Sequence, residues 1–122
     1  MFEIRVEKTI ACAHRLFGYN GPCEALHGHN YRVEVAYCGT ELDHFGMLVD
    51  FGDVKKVFNA VLEELDHTYL NELPAFENIS PSAENIAAYI YRQLARTPFE
   101  RAKLNSVSVW ETPTQVAVYR EP

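Results

Sequence analysis

The sequence is poor in cysteine and arranges what it has in no recognisable cross-link. Its 122 residues include three cysteines, Cys12, Cys23 and Cys38, with no Cys-x-x-Cys pair. An odd number without paired spacing argues against a disulfide scaffold and against a four-cysteine zinc site. A reducing compartment fits better. Long apolar runs are also missing, since none approaches the roughly 18 residues of a membrane-spanning helix. The opening stretch, Met1 to Glu7, alternates apolar with charged residues. It lacks the basic flank and apolar block of a signal peptide, so a cytoplasmic protein is expected. Basic residues are outnumbered, 11 Lys and Arg against 17 Asp and Glu, for a net charge of −6. Nucleic-acid and anionic-membrane binders need a basic footprint, so no nucleic acid and no membrane is expected as a partner. A local basic pocket for a phosphorylated small molecule is still compatible with that total.

What is present is a sequence with 48% hydrophobic residues and no repeat, low-complexity tract or linker. A single domain over residues 1–122 is expected. Residues 2–13 alternate, with Phe2, Ile4, Val6, Ile10 and Cys12 on one parity, which reads as a strand. Residues 14–30, rich in Gly, Pro, Asn and His, read as a long loop, and Tyr31–Tyr37 as a second strand. Over 51–65 the period changes. Val54, Val57, Phe58, Val61, Leu62 and Leu65 form one helical stripe, with Asp50 or Asp53 as cap. Ser80 followed by Pro81 predicts the start of a second helix, with Ile86, Ile90 and Leu94 inward and an end near Thr97–Pro98. Val107–Glu111 and Gln115–Tyr119 alternate around a Thr112-Pro113-Thr114 hairpin turn. The order β-β-α-α-β-β predicts an α+β fold, an antiparallel four-stranded sheet with two helices on one face. The other face must be wet or packed on another subunit.

The residues that suggest chemistry cluster near Cys23-x-x-x-His27-Gly28-His29. On extended backbone, residues two apart share a face, so His27 and His29 can reach one cation. His14 lies on the parity of Ile10 and Cys12, and a neighbouring first strand would bring it alongside as a third nitrogen. Three histidines leave a fourth tetrahedral position open, the catalytic zinc arrangement. The bland alternative is a set of surface or core histidines. Cys23 can be read as a fourth ligand, a small buried hydrophobe, or a base near the metal, and spacing does not choose among them. Cys12 and Cys38 read as core residues. In Asp66-His67 an acid beside an imidazole suits a proton shuttle, though on the residues alone an ordinary helix-end histidine is the better reading. Glu111, on the parity of Val107 and Val109, is an inward carboxylate that needs a partner. A ligand edge with two N–H donors would satisfy it, as would solvent at a hairpin end. Glu84 is explained by its place in a first helical turn, and His44 reads as structural.

Taken together, Ala13-His14-Arg15-Leu16, Cys23-x-x-x-His27-Gly28-His29-Asn30-Tyr31, Val49-Asp50-Phe51, Leu65-Asp66-His67-Thr68-Tyr69-Leu70-Asn71, Ser82-Ala83-Glu84-Asn85 and Glu111-Thr112 resemble the 6-pyruvoyl-tetrahydropterin synthase family. Within it they are most similar to the bacterial 6-carboxy-tetrahydropterin synthases of the queuosine pathway, and the resemblance covers nearly the whole chain. It implies the tunnelling fold and zinc on His14, His27 and His29. It also implies Cys23 as catalytic base with Asp66 and His67, Glu111 as pterin anchor, and Glu84 and Thr112 at the substrate. A pterin triphosphate substrate and a hexamer built as a dimer of trimers follow from the same resemblance. The three-residue gap between Cys23 and His27 looks like the carboxy-forming type. Glu24 stands beside the cysteine, where a third type of the family carries glutamate. Ala83 departs from the hydroxyl residue usual before Glu84. The competing expectations are a pyruvoyl-forming enzyme and a structural zinc module.

Overall fold

In a computed structural model of the chain, residues 1–16 and 27–122 are described, with the side chain of His27 excepted. Four strands, β1 (Phe2–His14), β2 (His27–Gly39), β3 (Lys103–Thr112) and β4 (Gln115–Tyr119), form one antiparallel sheet in the order β1-β2-β3-β4. Helices α1 (Phe51–Glu63) and α2 (Ala83–Leu94) lie between β2 and β3 in sequence. This is the expected β-β-α-α-β-β order.

The alternating pattern places one row of each strand in the core. Val6, Ile10, Tyr31, Val33, Val35, Val107 and Val109 are buried, and they meet Val54, Phe58, Leu62, Ile86 and Ile90 from the helices. Both helices therefore use their apolar stripe against the same sheet face. At ~25 cal/mol per Å² of apolar area, this shared core supplies the main drive to fold. Asp50 caps α1 by accepting from the amide of Gly52 at 2.7 Å. Cys12 is buried as expected, whereas Cys38 is only half-buried, because it pairs with Glu3 and shares that residue's outward parity.

Several boundaries differ from the sequence reading, and β3 begins at Lys103 rather than Val107. β2 begins at His27, not Tyr31, because pairing with β1 runs on through His14↔His27 despite the glycine and asparagine. The cap of α2 is Ser82, which accepts from Asn85 N at 3.2 Å, so Pro81 precedes the helix. Its last helical residue is Leu94. Two short 3-10 turns, Leu70–Glu72 and Pro74–Phe76, follow α1. Among the described residues no helix is long and apolar enough to cross a membrane.

Candidate active site

His14, the last residue of β1, is 1% exposed. Its backbone pairs with His27, and His29 pairs with Cys12 two positions away, so strand register brings the imidazoles of His14 and His29 to one end of the sheet on the core side. The His14 and His29 rings meet edge to face at 5.2 Å between centroids. Glu111 arrives from β3. The pairing of β3 with β4 passes from Trp110↔Val116 to Thr112↔Gln115 and leaves Glu111 as the extra residue of a bulge. A bulge re-aims a side chain, and here the carboxylate Oε1 lies 3.0 Å from His29 Nε2 and 3.5 Å from His14 Nε2. The three donor atoms lie within 4.8 Å of one another. Two imidazole nitrogens and a carboxylate oxygen can hold a divalent cation of zinc's type. The His27 side chain and Cys23, with Glu24, lie outside the described residues.

His14 is oriented from behind. Its Nδ1 lies 2.7 Å from the carbonyl oxygen of Pro81 and 2.9 Å from the Tyr31 hydroxyl. Sequence reasoning assigned no role to either. The Tyr31 and Pro81 contacts depend on tertiary proximity, which no local spacing announces.

Asp66 and His67 are placed against the free edge of β1. The segment after α1 runs beside residues 11–15 and supplies what a fifth strand would. Ala11 N–H donates to Asp66 Oδ1 at 2.8 Å, and Ala13 N–H to the carbonyl of Thr68 at 3.0 Å. Arg15 N–H donates to Asn71 Oδ1 at 2.7 Å, and Asn71 Nδ2 returns a bond to the Arg15 carbonyl at 2.8 Å. Two side chains thus complete a ladder that the backbone begins. His67 takes a left-handed conformation, φ 57°, which costs a non-glycine residue about 1 kcal/mol or more. Its Nδ1 lies 3.0 Å from Asp66 Oδ1, and its ring is 82% exposed. The Ala11 amide, followed by the charge of His67, holds the Asp66 carboxyl below its ordinary range. Cys12, nearby, is pushed up to about 12 by burial and then by the charge of Asp66, so it stays a thiol. His67 and His29 border one open cleft of about 500 Å³, together with Ala11, Ala13, Gly28 and Asn30.

Glu84 and Glu111 share a smaller cavity of about 150 Å³ with Ala83, Gln115, Val116 and Ala117. Thr112 is not brought there. It lines a separate cavity of about 200 Å³ with Thr9, Arg32 and Trp110. The structure therefore joins His14, His29 and Glu111, adds Glu84 beside them, and sets Asp66–His67 at a neighbouring edge. His44 sits in a turn held by Asp43, whose carboxylate accepts from Phe45 and Met47 amides at 2.9 and 3.0 Å.

Comparison with known proteins identifies the family. The family model described as 6-pyruvoyl tetrahydropterin synthase matches residues 3–122. A 6-carboxy-5,6,7,8-tetrahydropterin synthase of Haemophilus influenzae is 31% identical, over 99% of this chain and 100% of its own length. One from Synechocystis is 35% identical, over 100% of this chain and 95% of its own. The solved 6-pyruvoyl tetrahydropterin synthase of Caenorhabditis elegans superposes with a TM-score of 0.89 at 27% identity, covering 99% of this chain and 96% of that one. With the fold and these matches in agreement, the chain belongs to the 6-pyruvoyl tetrahydropterin synthase family.

Proposed function

We propose that the chain is a zinc-dependent 6-carboxy-5,6,7,8-tetrahydropterin synthase acting in queuosine biosynthesis. It would convert 7,8-dihydroneopterin triphosphate and one water to 6-carboxy-tetrahydropterin, releasing acetaldehyde and triphosphate. The observation that carries this reading is the convergence of His14, His29 and Glu111 within 4.8 Å in a member of this family. The carboxy-forming reaction is favoured over the pyruvoyl-forming one by relatives of that name from three bacteria, 31% to 35% identical over 98% or more of the chain. A 6-pyruvoyl tetrahydrobiopterin synthase of Dictyostelium discoideum is 33% identical over 82% of it, which keeps the second reaction as the alternative.

His14 and His29, joined by His27, would hold the zinc, which when bound supplies Lewis-acid polarisation of the substrate's side-chain hydroxyls. Cys23 would be the base, the role that the family resemblance implies for it. Asp66 already accepts the Ala11 amide and stays charged, so it orients His67 through Nδ1. The exposed His67 ring then carries the proton. With the zinc on the three histidines, Glu111 is not a ligand in this reading and would accept the 2-amino and N3 edge of the pterin as paired charge-assisted bonds. Glu84, which lines a cavity with Glu111, would complete the pocket. Thr112, next to Glu111 in sequence, is the remaining substrate contact in this reading, although it lines a neighbouring cavity.

The assembly we propose is a hexamer of two trimers with sites between subunits. The edge strands support it, because Phe2 on β1 and Val116 and Val118 on β4 are exposed apolar residues that a neighbouring sheet edge would cover. The test of the enzyme reading is Cys23→Ala. Retained zinc and fold with lost turnover are expected. Loss of zinc and stability would instead indicate a closed structural site.

A further inference from the structure

Tyr31 is fully buried on β2, and its hydroxyl oxygen lies 2.9 Å from Nδ1 and 3.2 Å from Nε2 of His14. The Pro81 carbonyl, just before α2, lies 2.7 Å from the same Nδ1. A carbonyl only accepts, so Nδ1 carries the proton and the Nε2 lone pair is left for a cation held together with His29. A single carbonyl sets the tautomer but leaves the ring free to pivot about that one bond. The Tyr31 oxygen supplies a second point of contact on the imidazole, and the two rings meet edge to face at 5.7 Å. The same tyrosine tilts against His29 at 5.4 Å. One rigid aromatic side chain therefore touches both histidines, and its own position is set by full burial in the sheet.

We infer that Tyr31 is a positioning residue for the metal-ligating pair: its phenol, with the Pro81 carbonyl, fixes His14 as the Nδ1–H tautomer and sets the plane in which Nε2 meets the metal. The inference rests on the reading of His14 and His29 as ligands, and goes beyond it by naming what orients them. Outer partners of this kind typically change metal affinity by ~10- to 100-fold when removed.

The experiment compares wild type, Tyr31→Phe and His14→Ala as full-length protein stripped of metal. Zinc affinity is read by chelator competition, ligand geometry by the visible absorption of bound cobalt, and fold by thermal unfolding without metal. Tyr31→Phe removes only the hydroxyl. It should bind zinc ~10- to 100-fold more weakly and shift the cobalt bands, with an unfolding midpoint close to wild type. Wild-type affinity and an unchanged cobalt spectrum in Tyr31→Phe, while His14→Ala loses the metal, would overturn the positioning role alone. Wild-type affinity in His14→Ala would overturn the metal site itself. Should the phenylalanine variant not fold, difluorotyrosine at position 31 keeps the shape and weakens the oxygen as an acceptor. A shifted cobalt spectrum there supports the inference, and an unshifted one overturns it.

Discussion

Replacing Asp66 by alanine removes one acceptor that serves two donors, the Ala11 amide at 2.8 Å and His67 Nδ1 at 3.0 Å. A hydrogen bond to a charged group contributes about 1.5–3 kcal/mol when well shielded. Here the Asp66 side chain is 28% exposed and that of His67 82%. The His67 arm is therefore an exposed pair worth a few tenths of a kcal/mol, roughly. The Ala11 arm, on the edge of the strand that carries His14, retains about 1 kcal/mol after the same discount. The expected loss is about 1.5 kcal/mol at pH 7, or just under ~1 M in the urea midpoint for a chain of this size. The pH dependence has a definite sign. The carboxyl ionises below its ordinary value in the folded chain, so the unfolded chain binds more protons between the two values. The stabilisation is fully present well above about pH 3.9 and fades as pH falls through the folded value. Urea titrations of wild type and Asp66→Ala at pH 7, 5 and 3, at matched metal content, should show a gap that is constant down to pH 5 and narrows at pH 3. A gap of equal size at pH 3, or none at pH 7, would refute the clamp.

Asn71→Ala should leave the fold intact but speed amide hydrogen exchange at Arg15 by about tenfold or more, since about 1.4 kcal/mol of opening energy is a factor of ten; unchanged protection would show that the Asn71 bonds add nothing to the end of β1. Gly39→Ala should destabilise by about 2–3 kcal/mol in chemical denaturation, because the added Cβ would collide with the Arg101 carbonyl and stand 2.7 Å from Leu48 Cδ1; a loss under about 0.5 kcal/mol would mean that the 101–103 backbone yields freely. Glu111→Gln should keep the oligomer size while weakening pterin binding by ~10- to 100-fold, roughly 1.5–3 kcal/mol; wild-type pterin affinity by calorimetry would remove Glu111 as the anchor.

Much of this was written in period and spacing. The alternation of β1 and the stripe of α1 each need one buried face, and a buried face leaves a pattern that survives in the sequence. His14 and His29, which the structure brings together, were legible for the same reason, through parity. Other features depended on partners far away in the chain. β2 begins at His27 because β1 pairs with it there, although Gly28 and Asn30 give no strand signal. Glu111 was expected to face a ligand, but the bulge that turns it toward His29 leaves no trace in a regular alternation. His67 has a left-handed backbone without being glycine or asparagine, since Asp66 and the Ala11 carbonyl hold it from outside. Asn71 gave no sign of bridging back to Arg15, because a side chain that imitates a strand is recognised only when the strand edge is beside it.

The most direct test of the account is the product. Zinc-loaded protein would be given 7,8-dihydroneopterin triphosphate, with acetaldehyde trapped and the pterin products separated and identified by mass. The account predicts acetaldehyde and 6-carboxy-tetrahydropterin in equal amounts, both lost in Cys23→Ala. Formation of 6-pyruvoyl-tetrahydropterin without acetaldehyde, or no turnover by fully loaded protein, would contradict it.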